Sequence, residues 1–213
     1  MKFAVLGTGM VGEALAGKLA ALGHEVKLGS RAESAAKAAA WAAQAGRQAS
    51  SGSYAQAAAF GEIVINALQG VATLPVLGDL KNELAGKVLI DIANPLDFSK
   101  GFPPTLFISN DRSLAEEIQK LLPQTQVVKA LNTVHAPVMV NPALVPGEHD
   151  IFVSGNDGAA KARVVELLRS FGWKAPIDLG DLSTARGTEQ LLPLWLRLYG
   201  AFGTGMFNLR VVR

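Results

Sequence analysis

Short apolar runs alternate with longer amphipathic segments along most of the chain. Residues 3–6 form an apolar run containing Phe and Val, which is typical of a strand buried on both faces of a parallel sheet. Residues 10–22 carry Val or Leu at positions 11, 15, 19 and 22, the spacing of one helix face. A Gly-His pair then breaks the helix, and residues 25–28 resume the strand pattern. The opening therefore predicts a strand–helix–strand unit.

The same alternation predicts further elements downstream. Strands are expected at residues 47–51, 62–68, 87–92, 126–131, 150–154, 177–179 and 206–213. Helices are expected at residues 33–45 and 54–60, from a capping box at 113–116 to Pro123, after the turn at 155–157, and at 184–202 with a kink at Pro193. Repeated units of this kind predict an α/β fold. We expect a Rossmann-type doubly wound parallel sheet with a smaller C-terminal α/β extension.

Composition and charge exclude several classes of protein. Hydrophobic residues make up 49% of the chain and charged residues 18%, as in globular proteins. A net charge of +2 without a basic cluster gives no reason to expect a nucleic-acid partner. There is no Cys, and the three His have no metal-ligand spacing, so no metal site is predicted. Without a signal peptide or a membrane-length apolar stretch, we expect a cytoplasmic protein with no membrane partner.

The stretch FAVLGTGMVG at residues 3–12 contains the spacing Gly7-x-Gly9-x-x-Gly12. The spacing alone is a weak signal, but here a predicted strand precedes it and a predicted helix follows. Gly7 would permit the tight turn, Gly9 would let the backbone approach a pyrophosphate, and Gly12 would let the helix pack against the strand. The start of the helix supplies a positive dipole end. The motif predicts a dinucleotide site; the alternative is a glycine turn without a ligand.

The end of the second strand selects the dinucleotide. An NAD enzyme places Asp or Glu there for the ribose 2′-hydroxyl, whereas this strand ends KLGSR with no carboxylate between Val26 and Arg31. The Arg31 guanidinium suits a 2′-phosphate, and Ser30 offers a hydroxyl. Thr8 and Lys37 are further candidates. The pattern favours NADP over NAD, with a solvated Arg31 as the alternative.

Ligands in open parallel sheets bind at the carboxyl ends of the strands, where two more groups of candidates lie. The cofactor-binding residues predicted in the glycine turn and second strand are Gly7, Thr8, Gly9, Met10, Val11, Gly12, Ser30 and Arg31. Those predicted at the ends of the fourth and fifth strands are Asn66, Ala67, Leu68, Ala93, Asn94 and Pro95. For each strand end the alternative is a purely structural role; Asn94-Pro95, for example, fits a simple turn.

The texture of the sequence changes after Val134, where residues 135–149 contain three prolines and a glycine. We therefore predict an NADP-binding Rossmann domain over residues 1–135 and a C-terminal portion over residues 136–213 that closes the acceptor site. Apolar residues crowd the predicted last helix at Leu191, Leu192, Leu194, Trp195, Leu196 and Leu198. A helix that is apolar nearly all round is buried, so we expect a homodimer in which a second subunit covers it. The alternative is a core helix within one chain.

Several blocks together resemble one family. GTGMVG, LGSR, VVKALNTV, FVSGNDGAAK, DLGDLSTAR and MFNLRVV are similar to blocks of the coenzyme F420-dependent NADP reductase family. The cytosolic reductase domain of the mammalian six-transmembrane metalloreductases has similar blocks. The resemblance covers essentially the whole chain. It implies NADP along the carboxyl ends of the strands, a deazaflavin or flavin ring stacked on the nicotinamide, and a homodimer.

Hydride transfer to such a ring depends on alignment more than on acid–base groups. We expect Asn132 and Thr133, at the end of the sixth strand, to line the acceptor site as catalytic residues. Met206 is predicted to line the other side, where the glycines of the tail leave room for a flat ring. One alternative is a reductase of a small imine or carbonyl compound, which needs a placed acid; Lys129, His135 and Tyr199 are the candidates. Another alternative is a non-enzymatic NADP-sensing module.

Overall fold

The apolar runs form strands, nearly all of them in one sheet. The computed structural model describes residues 1–212, and its strands are β1 (Lys2–Leu6), β2 (Glu25–Ser30), β3 (Ala49–Ser53), β4 (Ile63–Asn66), β5 (Val88–Asp91), β6 (Leu96–Asp97), β7 (Thr105–Leu106), β8 (Gln126–Ala130), β9 (Phe152–Gly155) and β10 (Ile177–Gly180). Eight of them form one sheet in the order β10-β9-β8-β5-β4-β1-β2-β3, while β6 and β7 pair separately.

Helices connect most of the strands. They are α1 (Met10–Ala21), α2 (Ala35–Ala45), α3 (Tyr54–Phe60), α4 (Gly70–Gly78), α5 (Lys81–Leu84), α6 (Leu114–Leu121), α7 (Ala136–Val140), α8 (Gly158–Phe171), α9 (Ala185–Gln190) and α10 (Leu192–Phe202). The predicted start of α6 is confirmed, because the Ser113 hydroxyl accepts a bond from the Glu116 amide. None of the helices within residues 1–212 combines the length and the apolar character that crossing a membrane requires.

The predicted Rossmann-type doubly wound α/β fold is confirmed, with one reversal at the edge. The strands from β8 to β3 are parallel, but β9 runs antiparallel to β8, and β10 follows the direction of β9. Between β8 and β9 the chain forms only the short helix α7 and a single helical turn. Without a crossover helix the chain stays at the carboxyl edge, so the next strand must run back from that edge.

Each face of the sheet carries its own apolar core. In β1, Phe3 and Val5 point into one core, and Ala4 and Leu6 point into the other. This follows from the two-residue alternation of a strand. The first core receives apolar residues of α1 and α8, and the second receives those of α4 and α6. The predicted helices on both faces are therefore present.

Two predictions for the last third of the chain are wrong. Residues 206–212 form no strand, and Arg213 lies outside the described residues. This tail is held by residues 148–150. The Asp150 amide donates to the Leu209 carbonyl (2.9 Å), the Asp150 carboxylate accepts from the Val211 amide (2.7 Å), and Arg210 pairs with Glu148 at 2.7 Å. Most of these bonds involve side chains, so they do not form the repeating backbone ladder that a strand needs.

The single helix predicted over residues 184–202 is two helices, α9 and α10, which meet at Leu191. Pro193 lies in the first turn of α10 and not at a kink within one helix. Proline is tolerated there because the first-turn amides have no partner within the helix.

Helices α4 and α5 and the β6–β7 hairpin are absent from the sequence-based prediction. Helix α4 begins at a glycine and contains Pro75, so its helical pattern is weak. Strand β2 extends two residues beyond its predicted end and includes Ser30. That extension places Ser30 and Arg31 at the carboxyl edge of the sheet.

Candidate active site

The glycine turn between β1 and α1 has two positions that admit only glycine. Gly7 has φ of +120°, and a Cβ atom there would lie 2.6 Å from the Ala67 carbonyl oxygen. A Cβ atom on Gly12 would lie 1.9 Å from the Gly7 carbonyl oxygen. The Gly7 amide donates to Gly29 of β2 at 3.0 Å. The glycine turn is therefore fixed against β2 and against the residue that follows β4.

Gly9 is different, because packing does not require it. Its φ of −80° suits any residue, and a Cβ atom there would meet nothing within 4 Å. Gly9 precedes α1 as its N-cap, and its carbonyl accepts from Glu13 at 3.0 Å. The absent side chain thus leaves the first-turn amides of α1 accessible, as a pyrophosphate would need. Met10 and Val11 lie in this same first turn, and Met10 is exposed.

Cationic groups lie beside the turn at the ends of β1 and β2. The Lys37 ammonium donates to the Thr8 carbonyl at 2.6 Å and pairs with Glu13 at 3.0 Å. The Arg31 side chain is exposed and lies 4.0 Å from the Glu33 carboxylate, while Ser30 is buried. Lys37, a secondary candidate from the sequence, reaches the glycine turn from α2. Residues with this charge and placement fit a 2′-phosphate.

The ends of β4 and β5 turn their polar side chains into the protein. The Asn66 amide nitrogen donates to Asp91 (2.8 Å) and to Thr73 (3.3 Å) and is fully buried. The Asn66 side-chain oxygen accepts from the Leu68 amide at 3.3 Å. The side chain of Asn66 therefore orients the end of β4. The backbone of Ala67, against which Gly7 packs, lies nearer the glycine turn.

Asn94 and Asn132 bind each other across the ends of β5 and β8. Asn94 donates to the Asn132 carbonyl (2.9 Å), and the Asn132 amide donates to the Asn94 side chain (3.0 Å). The Asn132 amide also donates to the Thr188 carbonyl at 3.1 Å. Asn132 is only 5% exposed and Thr133 only 2%, while Ala93 and Pro95 are buried. The side-chain amide of Asn132, a residue predicted to line the acceptor site, is thus already engaged in hydrogen bonds within the protein.

A buried ionic group lies beneath these asparagines; we call Asp91, Lys129 and Glu189 the Lys129 cluster. The Lys129 ammonium lies 2.8 Å from Asp91 Oδ2 and 2.8 Å from Glu189 Oε1, and it also donates to the Ala93 carbonyl. All three side chains are at most 1% exposed. Burial alone would lower the pKa of Lys129, but the two carboxylates outweigh it and the pKa is raised. The ammonium is therefore charged and sealed from solvent.

The tail after α10 packs on the segment that follows Asn132. A Cβ atom on Gly205 would lie 2.7 Å from His135 Cγ, and Gly203 ends α10 with φ of +65°. Both glycines thus have local structural roles instead of leaving room for a ring. Met206 is exposed, and Phe207 stacks on Trp195 with ring centroids 5.1 Å apart. The tail and the end of β8 are therefore neighbours, as the predicted acceptor site requires.

The three candidate acids for carbonyl reduction differ in environment. Lys129 is enclosed by its cluster and cannot reach a substrate. Tyr199 stacks on Trp195 with centroids 5.6 Å apart. His135 Nδ1 is buried and has no hydrogen-bond partner among the described residues. Thr188 and Glu189, which close this edge of the sheet from α9, are not among the residues predicted from the sequence. The lone charges Asp91 and Lys129 inside apolar strands are the signal that could have drawn attention to this edge.

The sheet and this glycine turn place the chain in the class of Rossmann-type dinucleotide-binding proteins. A family model described as "NADP oxidoreductase coenzyme F420-dependent" matches residues 2–95. The F420-dependent NADP reductase of Methanothermobacter marburgensis is 33% identical over 207 residues, which make up 93% of this chain and 92% of that protein. The reductase of the same name from Methanocaldococcus jannaschii is 37% identical over 155 residues, 70% of this chain and 69% of that one. The chain belongs to the F420-dependent NADP reductase family.

Two further likenesses agree with this assignment. A crystal structure from Arthrobacter sp. FB24, provisionally described as an F420-dependent NADP reductase, has 50% sequence identity, a TM-score of 0.95 and full coverage of both chains. Metalloreductase STEAP3 of Rattus norvegicus is 33% identical over 124 residues, which make up 56% of this chain and 23% of that protein. The resemblances that the sequence blocks suggest are therefore confirmed.

Proposed function

We propose that this chain transfers a hydride between NADPH and a deazaflavin or flavin ring, with coenzyme F420 as the first candidate. The observation that carries the proposal is the open Gly9 position, with Lys37 and Arg31 beside it, at the carboxyl edge of the sheet. Relatives of 33% and 37% identity carry the name F420-dependent NADP reductase, which supports the choice of acceptor.

In this proposal the two ends of NADPH have different partners. The first-turn amides of α1 bind the pyrophosphate, and Arg31, Lys37 and Ser30 bind the 2′-phosphate. The backbone of Ala67, Leu68, Ala93, Asn94 and Pro95 lines the path toward β8. Bound NADPH supplies the hydride, and the protein supplies alignment and exclusion of water. Residues 1–135 bind NADP, and residues 136–213 close the acceptor site.

We place the acceptor ring between the β8 end, at Asn132 and Thr133, and Met206 of the tail. The contact of Gly205 with His135 supports this placement, because it brings the tail against the segment that follows β8. Asn132→Leu is a poor probe, since it would also break bonds to Asn94 and Thr188. Met206→Trp is cleaner, because Met206 is exposed and its side chain has no hydrogen-bond partner among the described residues.

The test follows NADPH absorbance with F420, FMN, FAD and ferric chelates in turn, and then with small imines and carbonyl compounds. We expect NADPH oxidation with F420 or a flavin, and Met206→Trp should lower that rate without changing NADPH affinity. Val212→Trp introduces the same side chain at an exposed tail position and should have no effect. NADPH binding without oxidation by any acceptor would favour the sensing module, and oxidation only with imines or carbonyls would favour the small-molecule reductase.

We also propose that the chain forms a homodimer through α10 and the loop of the β6–β7 hairpin. Large apolar side chains are exposed there, including Leu194 (52%), Phe202 (58%) and Phe102 (62%). Phe102 and Tyr199 are in ring contact, with centroids 6.5 Å apart, so the apolar surface spans both elements. Light scattering should give twice the 22.3 kDa chain mass. Phe202→Glu should shift the mass toward one chain; a wild-type mass of one chain would contradict the dimer.

A further inference from the structure

The Lys129 cluster connects separate pieces of the proposed ligand edge. Lys129 lies near the end of β8 and donates to the carbonyl of Ala93, which follows β5. Asp91 accepts from Asn66 of β4 at 2.8 Å and from the Ala93 amide at 3.2 Å. Glu189 belongs to α9. The cluster therefore ties the ends of three strands to the helix that precedes α10.

Glu189 fixes a second helix as well. Its carboxylate accepts from the Leu114 amide at 2.6 Å and from the Ala115 amide at 3.1 Å, the first two residues of α6. The neighbouring Thr188 carbonyl accepts from Asn132 at 3.1 Å. One turn of α9 is thus bound to the start of α6 and to the end of β8.

Every charged group of the Lys129 cluster has hydrogen-bond partners, but burying the cluster costs free energy. Each carboxylate oxygen of Asp91 and Glu189 has at least one donor. Burying three charges still has a desolvation cost, which apolar residues of similar volume would avoid. The cluster lies at the carboxyl edge of the sheet and not in the middle of either core. It can therefore fix the relative positions of the strand ends and α9 at that edge.

We infer that Lys129 and Glu189 are positioning residues for hydride transfer, an inference that rests on the proposed function. They hold the Ala93 carbonyl and α9 at a fixed separation. That separation sets the distance between the nicotinamide path along β5 and the acceptor position beside Asn132 and the tail. A displacement of about 1 Å can cost roughly a hundredfold in rate. Loosening the cluster should therefore lower kcat far more than NADPH affinity, which depends on contacts at β1 and β2.

The test compares Glu189→Gln with a matched control, Glu116→Gln. Glutamine keeps the volume of Glu189 and one oxygen for α6 but removes the charge that faces Lys129. Glu116 pairs with Arg186 at 2.6 Å and also joins α6 to α9, but it does not touch Lys129. For each variant, kcat is measured per NADPH-binding site, NADPH affinity by calorimetry, and folding by thermal unfolding. If Glu189→Gln fails to fold, Asp91→Asn tests the same link from β5.

We expect Glu189→Gln to lower kcat about 10- to 100-fold, with NADPH affinity nearly unchanged, and Glu116→Gln to leave kcat intact. An unchanged kcat in Glu189→Gln would overturn the inference. The inference would also be overturned if both variants lost kcat equally and in proportion to their loss of folded protein. That result would mean that Glu189, like Glu116, only stabilises the fold.

A second readout separates this inference from the proposed function. The nicotinamide fluorescence of bound NADPH reports how firmly that ring is held, and it needs no acceptor. Wild-type protein that binds NADPH but reduces none of the acceptors overturns the proposed function alone. In that case a fluorescence change confined to Glu189→Gln still supports the positioning role, and identical fluorescence in both variants and wild type overturns it.

Discussion

The edge at β1 and β2 and the edge at β4, β5 and β8 both carry charged side chains, but they use them in opposite ways. At the first edge the Arg31 and Lys37 side chains are 70% and 56% exposed. At the second, Lys129 and its two carboxylates are almost completely buried and satisfy one another. Exposure, more than residue type, therefore decides whether a cation is available to a ligand.

The two edges should therefore differ in what they determine: the first the affinity for NADPH, the second the folding and alignment of the site. Exposed ion pairs such as Lys37–Glu13 contribute little to stability, so these cations can change partners when a phosphate arrives. A buried pair is costly to break, because the remaining charge has no solvent to stabilise it. We therefore expect variants at the first edge to change NADPH binding, and variants at the second to change folding and alignment.

The largest expected effect is on folding. Lys129→Met keeps the side-chain volume but leaves Asp91 and Glu189 buried without a cation, which should lower the free energy of unfolding by about 3–5 kcal/mol. Urea denaturation measures this loss. The triple variant Asp91→Asn, Lys129→Met, Glu189→Gln removes all three charges and should recover most of it. A Lys129→Met protein as stable as wild type would show that the cluster is not strongly coupled.

The next effect contrasts two glycines of the same turn. Gly9→Val should reduce NADPH affinity by about a hundredfold or more, roughly 2.7 kcal/mol, because the new side chain occupies the approach to the α1 amides. Thermal unfolding should change little, since a Cβ atom at this position meets none of the described residues within 4 Å. Gly12→Val should instead destabilise the fold, because its Cβ atom would overlap the Gly7 carbonyl. Normal NADPH binding by Gly9→Val in calorimetry would place the pyrophosphate elsewhere.

Arg31→Ala should have a smaller effect that depends on the cofactor. A charge-assisted hydrogen bond contributes about 1.5–3 kcal/mol, so NADPH affinity should fall roughly ten- to a hundredfold, while NADH binding stays nearly the same. Glu33→Gln is the matched control, because it removes the nearby carboxylate and leaves Arg31 in place. Equal losses for NADPH and NADH would mean that Arg31 shapes the loop instead.

The smallest effect is a pH dependence at the surface between α6 and α9. The hydrogen bond from Arg186 is the largest influence on the pKa of Glu116 and lowers it below its usual value of 4.5. Its stabilisation is therefore present above pH 4.5 and is lost as the pH falls through the lowered pKa. In urea unfolding, wild type should be more stable than Glu116→Gln near neutral pH, and the gap should close in acid. A gap that stays constant with pH would contradict this assignment.

The sequence marks the first edge by a local pattern and names the strand ends of the second, but it does not reveal the Lys129 cluster at that second edge. The glycine spacing, Ser30 and Arg31 are close in sequence, so a local pattern places them together. Lys129 and Glu189 meet only because β8 and α9 pack, and no spacing rule connects them. The strand predicted for the tail is wrong for a related reason: its apolar alternation suits a strand, but its hydrogen bonds go to residues 148–150, which are distant in sequence.

The reversal of β9 and β10 also has a consequence for self-association. It leaves β10, a strand of four residues, at one border of the sheet. The register of β10 shifts between Asp178 and Gly180, and the Lys161 ammonium binds both the Asp178 carboxylate and the Gly180 carbonyl at 2.9 Å. A short, irregular strand whose carbonyl is already occupied is a poor template for a neighbouring chain. The β10 border of the sheet should therefore not extend into the sheet of a second copy of this protein.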